Sequence, residues 1–289
     1  MAAATLSLEL TTVGNGADVN GVVIEMGNPP GSVDSALAAG RVRAGECVAW
    51  VLPADETCAA VARRHLRGVM AALGLADELV YDASTMVSEL AANVFVHALG
   101  GLPGSVGTLP ELWLHRRREK TQLVAQVFDV APWKGVIPGG ACRPAFDSEG
   151  GRGLEVVDAL AAEHGGEWGV HRSRARLTGT PASGKVAFFA LPVGAAWPIP
   201  PVDVGSALRT LEFLLLARGL GPMHRCEGWN MGVLSVRAEI TVWARPHGFH
   251  LTMPGVGTTR YALAEIAELA EVVVRCNEEL DAGGGGVRL

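Results

Sequence analysis

Two stretches of helical apolar spacing, one after the other between strand-like runs, restrict this chain more than any other feature. The run CVAWVLP from Cys47 has the make-up of a strand, and Asp55 stands where an N-cap would. After it, ETCAAVARRHLRGVMAALG carries Ala59, Val61 or Ala62, Leu66, Val69, Met70 and Leu73 at helical spacing, and Gly74 closes the segment. A second helix is predicted from about Ala76 to Ala98, with Leu79, Ala83, Met86, Val87, Leu90, Val94 and, at its margin, Phe95 on the apolar side. Helices with one apolar stripe need a broad apolar partner. ELWLHRR (111–117) and QLVAQVFDV (122–130) supply it as a predicted hairpin. A glycine-led helix, GRGLEVVDALAAEHGG, follows, and then a second hairpin, EWGVHRSRARL with KVAFFALPV, joined by TGTPASG. The expected fold is α/β in the α+β sense. It is a two-layer sandwich with an antiparallel or mixed sheet, covered on one face by helices near 56–73, 77–98 and 152–164.

The ends read differently. Leu6, Leu8 and Leu10, then Val22, Ile24 and Met26, alternate around a Gly/Asn-rich middle as in a short hairpin, and GNPPGSVDSALAAG (27–40) has linker chemistry. Residues 194–203 form a proline-rich connector. Beyond it lie a predicted helix near 204–218, two strands (GVLSVRAEITVWARP and GFHLTMPG), a helix from about Tyr261 to Leu280, and a GGGG tail read as disordered. The predicted division is therefore 1–44 (hairpin and linker), 45–193 (main domain) and 194–289 (a small α+β module).

Composition excludes several function classes. With 49% hydrophobic and 19% charged residues the chain can build a core. Its net charge is −6, and the only basic cluster is Arg116, Arg117, Arg118 and Lys120, so no extended basic face is offered to nucleic acid. Five widely spaced cysteines, with no CxxC pair, read as reduced thiols. The N-terminus MAAATLSLELTT lacks a basic region and an apolar core, and the longest apolar stretch is cut by Pro192, Pro198, Pro200 and Pro201. No membrane span is expected, and the expected location is the cytoplasm.

Three short stretches carry chemistry. In SELAANVFVHA (88–98), Glu89 and Asn93 lie one helical turn apart, and His97 extends that face by a further turn. A solvated stripe would more often hold Lys, Arg and Glu than Asn and His. A carboxylate beside a carboxamide can orient a hydroxyl and give an oxygen ligand to a hard cation such as Mg²⁺ on a triphosphate. Asp129 ends a strand, in FDV, where its carboxylate can accept from a ligand's exocyclic amine or cap a turn. Gly150, Gly151 and Gly153 precede an amphipathic helix, and such a start lets backbone N–H groups approach an anion. The lysine and hydroxyl of a P-loop are absent, so neither that motif nor a dinucleotide fingerprint fits. Between Asp129 and these glycines runs a Gly/Pro-rich loop, APWKGVIPGGACRPAFDSEGG, of about twenty residues.

Taken in order, these elements resemble the GHKL (Bergerat) ATP-binding fold of histidine kinases, gyrase and MutL. The resemblance is closest to its anti-sigma-factor branch, the RsbW/SpoIIAB-like serine/threonine kinases, in an actinobacterial form with extensions at both ends. It covers about residues 45–193. SELAANVFVHA looks like the N box, FDVAP like a degenerate G1 box, and EGGRGLEVVDALAAEHG like the G2 box. The resemblance implies ATP and Mg²⁺ as cofactors, with Asn93 on the metal and Glu89 as the catalytic base. It further implies Asp129 at the adenine amine, Gly151, Arg152 and Gly153 at the phosphates, residues 131–149 as a lid, and His97 beside the site. As partners it implies a sigma factor or an anti-anti-sigma (STAS-type) protein, and a homodimer. The sequence departs from the pattern after Asp129, where Val130, Ala131 and Pro132 stand and the first glycine is Gly135. That departure keeps a second function open: a GHKL-fold adaptor with little or no catalysis.

Overall fold

In the computed structural model the described residues are 32–98, 108–117, 121–131, 152–177, 181–194, 197, 201–253 and 257–284. The hairpin expected within residues 1–31, most of the lid segment, Gly151, Arg118 and Lys120 lie outside them.

The chain begins with helix α1 (Ser32–Ala44), strand β1 (Val48–Val51), and helices α2 (Cys58–Ala72) and α3 (Asp77–Asn93). The linker expected over 27–40 is thus a helix from Ser32 onward. Ala38, Ala39 and Val42 of α1 are buried in the same core as α2 and α3, and Gly68 of α2 leaves room for Ser35. Small side chains let α1 approach closely, and that burial outweighs the poor amphipathicity that read as linker. Asp55 accepts from the Thr57 N–H at 2.8 Å, so its carboxylate sets the turn before α2 rather than capping it.

Strands β2 (Glu111–Arg117), β3 (Gln122–Asp129), β4 (Glu167–Arg174) and β5 (Ser183–Pro192) complete a sheet of order β1-β2-β3-β5-β4, antiparallel throughout. Helix α4 (Arg152–Glu163) connects β3 to β4. Leu112, Leu114, Leu123, Ala125, Val127, Phe189 and Leu191 point from the sheet into one core with α2, α3 and Val157 of α4. This is the expected α+β two-layer sandwich.

The opposite face of the sheet is covered as well. The chain continues through α5 (Val204–Ala217), β6 (His224–Gly228), β7 (Met231–Arg237), β8 (Ile240–Arg245), β9 (Gly248–Met253), β10 (Gly257–Tyr261) and α6 (Ile266–Gly284). These five strands form a second antiparallel sheet in chain order. GVLSVRAEITVWARP, expected as one strand, is β7 and β8 joined at Ala238-Glu239. Residues 257–261, which border the expected last helix, form β10, and α6 runs through Gly284 rather than ending at Leu280. The core of this module joins Leu208, Leu211 and Leu215 of α5 to Leu234, Val242 and Leu251 of the sheet and to Leu269 and Val273 of α6.

Helix α6 also packs on β2 and β4 of the first sheet. Strand alternation puts Glu111, Trp113, His115 and Arg117 on that second face, and α6 meets the last two with Glu268. Glu268 Oε2 lies 2.9 Å from His115 Nε2, and its Oε1 accepts from Arg117 Nε at 3.0 Å. Glu271 accepts from Arg176 at 3.0 Å and also pairs with Arg218 and Ser173. The two guanidiniums lie 4.8 and 5.0 Å from the Trp113 ring centre. Thus Arg117 of the basic cluster is a docking residue for α6. Arg116 donates to the Trp197 carbonyl at 2.8 Å.

Candidate nucleotide site

The candidate residues are carried by α3, by the end of β3 and by the start of α4, and α3 packs against both β3 and α4. Helix α3 lies across β3 and β5 with Met86, Val87 and Leu90 in the core, which leaves Glu89 and Asn93 half-buried at the margin of that packing. Helix α4 runs beside α3 and is tied to it by His164 Nε2 at 2.8 Å from Asp82 Oδ2. Trp168 Nε1 donates to Asp158 at 2.7 Å and fixes the same helix to β4. The result is a close approach at the glycine of the helix start. A Cβ built on Gly153 would lie 2.5 Å from Glu89 Oε2, so only a residue without a side chain leaves that carboxylate in place.

Asp129 closes β3, the central strand. By alternation it shares the helix-facing side with Leu123, Ala125 and Val127, the side on which α3 and α4 lie. Its carboxylate is buried. Oδ1 accepts from the Ala131 N–H at 2.9 Å and from the ammonium of Lys185, the residue opposite it on β5. Lys185 also donates to the Ala131 carbonyl at 3.1 Å. Burial pushes the Asp129 carboxyl above its usual range, against the pull of the Lys185 charge and the Ala131 N–H. Gly184 makes the approach possible, because a Cβ there would collide with the Asp129 carbonyl oxygen.

The structure thus brings Glu89 and Gly153 into contact and puts Asp129 on the helix-facing side of the central strand. His97 lies beyond the end of α3. After Asn93 the helix widens into a π-helical segment, Val94–Ala98. Each turn there closes on the fifth residue rather than the fourth, and His97 is exposed where Asn93 is half-buried. The Arg152 backbone opens α4, but its side chain, like Gly151, lies outside the described residues. Lys185 was missed by sequence reading. The available signal was its rarity, since it is one of three lysines among 24 basic residues and directly precedes the apolar run of a strand.

The donor set fits a magnesium nucleotide and does not fit a protein-caged metal. Among the described residues no group of three or more His, Cys, Asp or Glu side chains could hold an ion. A cation carried by phosphates needs only one or two protein oxygens, such as the Asn93 carboxamide. Among the described residues no helix is long and apolar enough to cross a membrane.

Residues 52–178, less than half of the chain, match the model of the histidine kinase-like ATPase domain. That span contains Glu89, Asn93, Asp129 and Gly153, and it supports a GHKL-type ATPase and nucleotide binding for this part of the protein. A search of curated proteins finds no match.

Proposed function

We propose that this protein is an ATP-dependent serine/threonine kinase of the anti-sigma-factor type, acting in the cytoplasm. In this reading it phosphorylates a STAS-type anti-anti-sigma partner and controls transcription by exchanging that partner for a sigma factor. The observation that carries the reading is the contact of Gly153 with Glu89, which sets the start of α4 against the helix face bearing Glu89 and Asn93. When bound, Mg²⁺–ATP supplies the transferable phosphoryl group. Asn93 would give its carboxamide oxygen to the metal. The N–H groups at the start of α4 would face phosphate oxygens, with the helix dipole in their favour. Asp129 would accept from the adenine amine, and Glu89 would take the proton from the partner's hydroxyl.

The test is transfer of labelled phosphate from ATP to a serine or threonine of a cognate STAS protein. Transfer by the native chain and its loss in Glu89→Gln, with ATP binding retained, support the reading. Tight ATP binding with no transfer to any cognate partner rejects it.

A second reading is favoured by the Lys185–Asp129 pair together with the missing G1 glycine. Here the carboxylate meant for the base is already engaged, and the domain acts as a catalytically weak adaptor through protein contacts. Absence of turnover together with retained partner binding selects this alternative.

A further inference from the structure

Strand β6 ends the second sheet, and all five of its residues are exposed. Among the described residues no strand pairs with its outer side. Natural sheets usually blunt such an edge. Here the strand reads His224-Arg225-Cys226-Glu227-Gly228, with opposite charges placed symmetrically about a cysteine. Arg225 and Glu227 share the face toward α5, where they pair with each other, Arg225 Nε pairs with Glu212 at 2.6 Å and Glu227 pairs with Arg209 at 3.1 Å. Cys226 therefore points to the other face of the sheet, which no described helix covers. There it neighbours Val233, which in turn neighbours Trp243.

We propose that β6 is the dimerisation edge of this protein, pairing antiparallel with β6 of a second copy about a twofold axis through Cys226. In that register Arg225 stands opposite the partner's Glu227, and Glu227 opposite the partner's Arg225, while each cysteine meets its own copy. Shifting the centre to residue 225 would set Arg against Arg, and shifting it to 227 would set Glu against Glu. The charges that make β6 a poor edge for an unrelated strand thus select one register with itself. The same register brings Trp229, 97% exposed at the hairpin tip, beside the partner's Met223. It also joins Cys226, Val233 and Trp243 into one stripe across both copies. Two five-stranded sheets become one continuous sheet of ten. A five-residue edge buries little by the standard of permanent dimers, so association should depend on concentration.

The test uses the full chain and two charge reversals. Sedimentation of the native protein should show a monomer–dimer equilibrium as concentration rises toward millimolar. Arg225→Glu and Glu227→Arg should each be monomeric, because every cross-strand pair becomes like-charged. Mixing the two should restore the dimer, since one copy then carries an acid at both positions and the other a base at both. With Cys142 and Cys276 replaced by serine, a short bis-maleimide should link Cys226 to its copy, whose Cβ would lie about 5 Å away. Cys47 and Cys58 are buried and should stay silent. A native chain that remains monomeric overturns the proposal. So does a dimer that survives either reversal alone, or one that Cys226 does not link.

Discussion

Glu89 and Gly153 occupy one contact, in which the carboxylate of the first fills the space that a side chain on the second would take. A helix start and a helix face separated by more than sixty residues are thereby locked into one geometry. Gly153→Ala should separate function from stability. Alanine favours a helix over glycine by about 1 kcal/mol, so the melting temperature should hold or rise. Glu89 must then swing aside, and Mg²⁺–ATP affinity should fall about tenfold, ~1.4 kcal/mol. Differential scanning calorimetry together with ligand titration checks both halves.

Lys185 is expected to matter for Asp129 more than for the strand it sits on. Lys185→Met leaves a buried carboxylate without its cation, which should cost about 3 kcal/mol in urea unfolding near neutral pH. The sign of the pH dependence follows from the upward shift of Asp129. A carboxyl whose folded value is raised favours the protonated form, so its penalty appears as pH rises through its titration and vanishes in acid. The variant should therefore approach native stability at low pH. Adding Asp129→Asn should remove the dependence and recover part of the loss.

Glu271 holds two cations beside Trp113, and Arg176, Arg218 and Ser173 all converge on it. Burial alone would raise its pKa, but the two arginines outweigh burial and hold the carboxylate far below its usual range. Glu271→Gln removes the anion that the two buried guanidiniums share and should cost about 3–5 kcal/mol in urea unfolding. Because α6 belongs to the module core as well as to the sheet interface, both halves should lose protection together in hydrogen exchange.

Docking of α6 should have a pH window. Burial opposes the charged form of His115, yet Cys47 and Glu268 raise it to about 9, and the same partnership with His115 and Arg117 holds Glu268 down at about 2. A histidine with a raised folded pKa contributes stability that is complete below its ordinary value of 6.5 and is lost as pH climbs toward 9. Glu268 contributes fully above its ordinary 4.5 and loses that contribution as pH falls toward 2. Protection of α6 amides, measured by hydrogen exchange, should therefore be greatest between about 4.5 and 6.5. His115→Gln should flatten the alkaline side.

The helices and strands from Val48 to Pro192 were legible because their apolar periods were unbroken. The places of Asp129 at a strand end and of Gly153 in the first turn of α4 were legible by residue type. What escaped has a common cause: partners supplied from far along the chain. Glu111, His115 and Arg117 alternate with leucines as solvent-facing residues do; Glu268 of α6, some 150 residues later, partners His115 and Arg117, and the N–H groups of Arg176 and Leu177 partner Glu111. Helix α1 has too few large apolar residues to announce itself. Strand β6 has no alternation because it is exposed throughout, and the β7–β8 turn uses Ala238 and Glu239, neither a typical turn residue. The change of helical period after Asn93 had no residue signal.

In the proposed function Glu89, Asn93, Asp129 and the start of α4 form one nucleotide site. Calorimetric titration of the full chain with Mg²⁺–ATP, repeated on Asn93→Ala and Asp129→Ala, tests it most directly. The account predicts saturable binding by the native chain, at least tenfold weaker in each variant, with the Asn93→Ala loss confined to titrations that contain Mg²⁺. No heat of binding from the native chain, or equal affinity in all three proteins, would contradict it.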